Sequence, residues 1–259
     1  MFKLKKGWRG VLFLLLIFLF FIAGVPFVGN FLPLRIKVSF ISAAPMELVS
    51  EVKRTVPERT TELWWQLKGE AIKEKLQGNV WIKNVLFRRN GLFSRVLNLY
   101  ITSREPKAVV ELKEGVWLID SEGVYLKEVS IKEGEGKERV CLGRDYCFSS
   151  LWHLTASGEG MPSSKLLVLG IKVLERASLI IGERPSLLRF NSGDDIYIYF
   201  RTLPPLRGFL SELSNEDAAK RKFKQYLEVV SLIDRRSVKK RYVDLGFKDM
   251  AVIKPLGAG

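Results

Sequence analysis

Histidine occurs once in these 259 residues, at His153, and cysteine twice, at Cys141 and Cys147. A single imidazole removes most general acid–base and metal-ligating schemes, and a lone histidine in a loop reads as a structural or surface residue. Two thiols with five residues between them make a poor metal site, since the one imidazole is distant in the chain. They leave either a disulfide across a hairpin loop or two unpaired thiols. The chain also lacks a G-x-x-x-x-G-K-[ST] phosphate cradle and a G-x-S-x-G nucleophile elbow. Asp194 and Asp195 are adjacent acids in a strand-entry turn, where carboxylates are ordinarily solvated. The expectation is a non-enzymatic protein with no cofactor, no bound metal and no small-molecule substrate.

Charge is missing from one long stretch. No charged residue falls between Gly10 and Leu34, and residues 11–22 are all Val, Leu, Ile and Phe. A helix over 10–28 would be about 28 Å long, close to a hydrocarbon core of about 30 Å. Lys3, Lys5, Lys6 and Arg9 precede the stretch, and basic flanks tend to stay cytoplasmic. Arg35 and Lys37 on the other side weaken that bias, but long domains translocate largely regardless of charge. A cleaved signal peptide has the same order of features, with a shorter apolar region and a small-residue site close behind it. Here the nearest small cluster, Ser42-Ala43-Ala44, lies well past the run. The expected plan is a cytoplasmic tail over 1–9, a single transmembrane helix over 10–31, and the bulk of the chain periplasmic or extracytoplasmic.

The formal charge is +14, and residues 201–259 hold 13 Lys and Arg against 7 Asp and Glu. Such a balance attracts anionic lipid headgroups, anionic wall polymers or an acidic partner. It is equally a merely solvated face. Nucleic acid is not an expected partner for a domain outside the cell.

Patterning divides the rest into two parts. A strand over 35–41 precedes a helix over 45–55, where Met46, Val49 and Val52 share a face and Pro45 opens the first turn. A second helix over 63–78 stops at Gly78. Trp81, Val85 and Phe87 mark a strand over 81–89, and Leu97, Leu99 and Ile101 alternate with Asn98, Tyr100 and Thr102 in another. This gives a β-α-α-β-β unit over 35–104. Beyond Pro106, strand-like runs lie at 108–112, 116–119 and 124–128. A helix over 162–176 and strands over 177–181, 186–190 and 195–200 follow. Ser214 and Asp217 have capping-box spacing ahead of a helix carrying Phe223, Tyr226, Leu227 and Val230. Strands over 241–247 and 250–254 close the chain. The first of these alternates Tyr242 and Asp244 with Val243, Leu245 and Phe247. A final strand that lies at a sheet edge can accept a strand from another chain, or its edge can be covered within the protein itself.

Four stretches follow one another behind the apolar run: NVWIKNVLFRR from Asn79, LYITSREPKA from Leu99, LIDSEGV from Leu118 and YVDL from Tyr242. They resemble, in order, four segments of the FtsQ/DivIB family of bacterial cell-division proteins. These are its aromatic–apolar–Lys run into a V-x-R strand, its I-x-V-x-E-R-x-P-x-A junction, its L-V-D-x-x-G turn and its V-D-L-R strand. The chain departs from the pattern at Gly91-Leu92-Phe93, where the family has a proline turn, and at Gly246, where it has Arg. The resemblance implies an α+β protein: one N-terminal transmembrane helix, a small polypeptide-transport-associated (POTRA) domain over 35–104, and a larger mixed β-sheet domain with helices over 105–259. It implies a divisome scaffold in the cell inner membrane, at the division septum, that binds FtsB-like and FtsL-like proteins and other divisome members and helps regulate septal peptidoglycan synthesis. By position, the partner-binding surface would comprise Arg241, Tyr242, Gly246, Phe247, Lys248 and Asp249, with Arg184 as a looser member. Arg235, Arg236, Lys239, Lys240 and Arg241 would suit an acidic segment. The alternative is a POTRA-containing protein-translocation or outer-membrane assembly component, for which a β-barrel is the expected companion.

Overall fold

The computed structural model describes residues 13–19, 34–60, 69–91, 94, 96–129, 139–142, 146–158, 160–191, 193–233, 241–247 and 250–255. The chain divides into two compact units, Met1–Arg104 and Glu105–Gly259.

The expected membrane anchor needs correction. Of the span expected over 10–31, the described part, 13–19, is helical. The longest helix among the described residues, Ser164–Ile181, carries Lys165, Lys172, Glu175 and Arg176. Among the described residues no helix is long and apolar enough to cross a membrane. The α+β reading with a single transmembrane helix, and the single-pass inner-membrane localisation with a cytoplasmic N-terminus, are withdrawn on this finding. The tail over 1–9 and residues 10–12 and 20–31 lie outside the described residues.

In the first unit, β1 (Leu34–Phe40), α1 (Met46–Thr55), β2 (Arg59–Thr60), α2 (Gly69–Gln77), β3 (Ile82–Arg89) and β4 (Val96–Ser103) follow in order. A two-residue strand thus separates the two helices of the expected β-α-α-β-β pattern. The sheet runs β2-β1-β4-β3, with β1 parallel to β4 and the outer pairs antiparallel. Period-two alternation buries Leu97, Leu99 and Ile101. On α1, Leu48 and Val52 are four residues apart and both buried, the spacing of one helical face. Pro45 stands at the N-cap, outside the first turn.

The second unit contains β5 (Pro106–Leu112), β6 (Gly115–Asp120), β7 (Tyr125–Val129), β8 (Arg139–Leu142), β9 (Tyr146–Ser149) and β10 (Trp152–Ala156). These are followed by α3 (Ser164–Ile181), β11 (Leu187–Phe190), β12 (Asp195–Tyr199), β13 (Leu206–Phe209), α4 (Leu210–Ser214), α5 (Glu216–Ser231), β14 (Arg241–Asp244) and β15 (Val252–Pro255). Strands β8 and β9 form a separate hairpin, and the others make one mixed nine-stranded sheet ordered β15-β14-β13-β12-β11-β10-β5-β6-β7. Val110, Leu154, Leu188, Ile196, Ile198, Leu206 and Val243 from the sheet share one buried cluster with Leu167, Ile171 and Leu174 of α3 and Phe223 and Tyr226 of α5. Each such side chain contributes about 1.5–3 kcal/mol by leaving water.

Local chemistry explains where this unit departs from expectation. The apolar run Leu179-Ile180-Ile181 belongs to the last turn of α3 and not to a strand over 177–181. Ala177 continues the buried stripe, and Gly182 stops the helix at φ 79°. Helix α5 is capped by Asn215, whose side chain accepts from the amides of Asp217 (3.1 Å) and Ala218 (3.2 Å), so the cap falls one residue after Ser214. At the LIDSEGV turn, Asp120 Oδ1 accepts from the amides of Glu122 (2.8 Å) and Val124 (2.9 Å). Gly123 lies at φ 73°, and a Cβ there would sit 2.4 Å from the Ser164 carbonyl oxygen. This turn therefore requires glycine at 123.

Candidate partner-binding edge

Of the two alternatives for strand β14, an open edge or a covered one, the structure shows the covered one: β13 flanks it on one side and β15 on the other. Its partners across β15 are Tyr242 with Lys254, Val243 with Ile253 and Asp244 with Val252. The edge belongs to β15, which has no outer neighbour among the described residues. Backbone directions follow from the bonds of β14. The amides of Val243 and Leu245 donate to the carbonyls of Pro205 and Arg207 on the β13 side, both at 2.9 Å. Alternation turns Tyr242 and Asp244 toward β15, so Val252 and Lys254 face β14 and Ile253 faces outward. Pro255 shares the outward orientation and has no N–H to offer.

Side chains divide by face. Val243 is wholly buried on the helix side. On the opposite face, Tyr197, Arg207, Tyr242, Asp244, Val252 and Lys254 line up through the strand registers. Arg207 bridges two carboxylates, with Nε 2.9 Å from Asp195 Oδ1 and Nη1 3.1 Å from Asp244 Oδ2. Lys254 Nζ reaches Asp244 Oδ2 at 2.6 Å, and the Gly246 amide donates to Asp244 Oδ1 at 2.9 Å. Burial pushes the Asp244 carboxyl up. The hydrogen bonds from Lys254 and Gly246 and the charges of Arg207 and Lys254 outweigh it and hold the group below the usual carboxylate range. The hydrogen bond to Asp195 holds the Arg207 guanidinium more firmly protonated than usual. Tyr197 meets Tyr242 edge to face, with centroids 5.8 Å apart. Around the edge, Phe247 (40% exposed), Met250 (61%) and Ile253 (36%) leave apolar surface in water.

The structure places the expected contact residues unequally. Arg241, Tyr242, Gly246 and Phe247 lie on or beside β14, next to the true edge. Arg241 and Phe247 are exposed, and Tyr242 and Gly246 half-buried. A Cβ at Gly246 would lie 3.0 Å from Asp244 Oδ1 and 3.4 Å from the Phe209 ring, so the arginine of the family pattern would crowd this corner. Lys248 and Asp249 lie outside the described residues, as do Arg235, Arg236, Lys239 and Lys240. Arg184 is elsewhere. Its Nη2 donates to the carbonyls of Ser150 (2.6 Å) and Leu151 (3.0 Å), and its guanidinium stacks 4.2 Å over the Trp152 ring. Trp152 begins β10, five strands from β15, about 24 Å away at 4.8 Å per strand. Arg184 clamps the turn into β10, where Ser150 has φ 60°.

The remaining chemistry-bearing residues have structural tasks. His153 stands on β10 and not in a loop, 8% exposed, with Nε2 3.2 Å from Glu111 Oε2. Asp194 accepts from the Ser211 amide at 2.8 Å and from its hydroxyl, which caps α4. Asp195 is held by Arg207 and not left to solvent. Cys147 is disulfide-bonded, Cys141 is the one other cysteine in the chain, and the two stand opposite each other in the β8–β9 ladder. Among the described residues no group of His, Cys, Asp or Glu could hold a metal. Compared with protein families and with curated proteins, the chain finds no match in either.

Proposed function

We propose that the chain is a non-enzymatic division scaffold of the FtsQ/DivIB type. It takes an extended segment of an FtsB-like protein, itself paired with an FtsL-like one, as an added strand on β15, and so bears on septal peptidoglycan synthesis. One observation carries this reading. The nine-stranded sheet ends in a four-residue strand whose outward-facing residue, Ile253, is flanked by exposed Phe247 and Met250. Backbone bonds to such an edge supply affinity, and side chains on either side supply selectivity. The four ordered stretches that resemble segments of the division proteins support an FtsB-like partner.

The test is capture of companions by the full chain from its own cells, with identification of what is bound. Ile253→Pro deletes the outward amide and leaves the β14 side of β15 untouched, whereas Ile253→Ala keeps that amide. Division proteins held by the wild type and by I253A, and lost by a folded I253P, are the expected result. Equal capture by I253P refutes strand addition here, and recovery of outer-membrane assembly factors in place of division proteins refutes the assignment to division.

A further inference from the structure

Lys222 is a buried lysine that the docking edge does not by itself explain. It is 6% exposed, on the stripe of α5 that also buries Ala219, Phe223 and Tyr226. An apolar side chain would serve that stripe at lower cost, because a buried ammonium is unfavourable unless all its donors are used. An ammonium has three donors. Here Nζ reaches the carbonyl of Leu245 at 2.8 Å, the carbonyl of Phe247, and Glu212 Oε2 at 3.6 Å. Both carbonyls belong to the corner that leaves β14.

We infer that Lys222 is a positioning residue: from α5 it sets the corner at Leu245–Phe247, and through that corner it presents Phe247 and the β15 edge to a partner. Four bonds among the described residues hold the corner. The Leu245 amide goes to Arg207, the Gly246 amide goes to Asp244, and the two carbonyls go to Lys222. Leu245 is 1% exposed and anchors the corner's start, whereas Phe247 is 40% exposed and has no comparable packing. Position at Phe247 therefore depends on polar contacts: the bond from Lys222 to its carbonyl, and the Lys254 ammonium 5.2 Å over its ring. The inference rests on the docking reading for its consequence, but the geometry it assigns is separable from it.

The experiment is amide hydrogen exchange of the full chain, wild type against Lys222→Met and Lys222→Arg. In K222M the amides of Leu245, Gly246 and Val252 exchange at least tenfold faster, while those of β11 and β12 keep their wild-type rates. K222R, which keeps charged donors on a long stem, restores protection at the corner. Unchanged exchange at the corner in K222M overturns the assignment, as does loss of protection across the whole sheet, which would make Lys222 a residue of the fold at large. Capture of division proteins by K222M is read in parallel. A corner that loosens while capture stays at the wild-type level leaves the positioning role standing and removes this edge as the docking site.

Discussion

Asp244 offers the sharpest energetic test of the edge. Its carboxylate is 1% exposed and accepts from Arg207, Lys254 and Gly246. Asp244→Ala removes all three bonds at once. A hydrogen bond to a charged group is worth about 1.5–3 kcal/mol and a backbone amide bond about 0.5–1.5 kcal/mol. Arg207 keeps its second carboxylate, Asp195, so the low end applies to it, and the half-buried Lys254, whose ammonium can turn to water, is left out of the sum. The loss at pH 7 is then about 2–3 kcal/mol, or about 4–12 °C in the unfolding temperature for a unit of this size. The pH dependence has a definite sign. A carboxyl held below its unfolded value of about 3.9 contributes stability that is complete above about pH 4 and is lost as pH falls through the folded value. Thermal unfolding of the wild type and D244A from pH 7 to pH 2.5 should show a gap that is wide above pH 4 and narrows below it. A gap under about 0.5 kcal/mol at pH 7, or one that stays constant to pH 2.5, would refute the account of this network.

Two further substitutions separate structural from docking roles. Gly123→Ala puts a Cβ 2.4 Å from the Ser164 carbonyl oxygen at φ 73° and should cost about 2–4 kcal/mol in chemical unfolding; a wild-type midpoint would contradict the turn described. Arg184→Ala should lower stability by about 1–2 kcal/mol through its lost carbonyl bonds and leave capture of division proteins unchanged, so a selective loss of capture would return Arg184 to the partner surface.

What sequence reading recovers depends on how local the cause is. The alternation of Leu97, Leu99 and Ile101 is visible because one face of β4 is buried and the period is two. Strand β10 is not, because Trp152, His153 and Leu154 are buried in succession and leave no alternation to read. Strand β13 is hidden by Pro204 and Pro205 ahead of it and Gly208 within it. The end of α3 is misread because Ile180 and Ile181 carry strand propensity while tertiary packing carries the helix through them. Near the site, strand β14 is legible from its alternation, whereas the contact residues expected around it rest on the family resemblance alone. The edge itself is not, since it depends on a neighbour order that no local pattern encodes. Lys222 could have been found, as it falls three residues after Ala219 and four before Tyr226, on the face the apolar stripe defines.

The missing amide at Pro255 has a consequence beyond recognition. Within β15 only Ile253 turns an N–H outward, so an incoming chain finds a single foothold before an imino ring ends the row. A short lodger with matching side chains can settle there, whereas a polymerising one cannot recruit the next copy along an unbroken rail. Among the described residues this end of the sheet thus offers a socket too brief to template a long run of added strands.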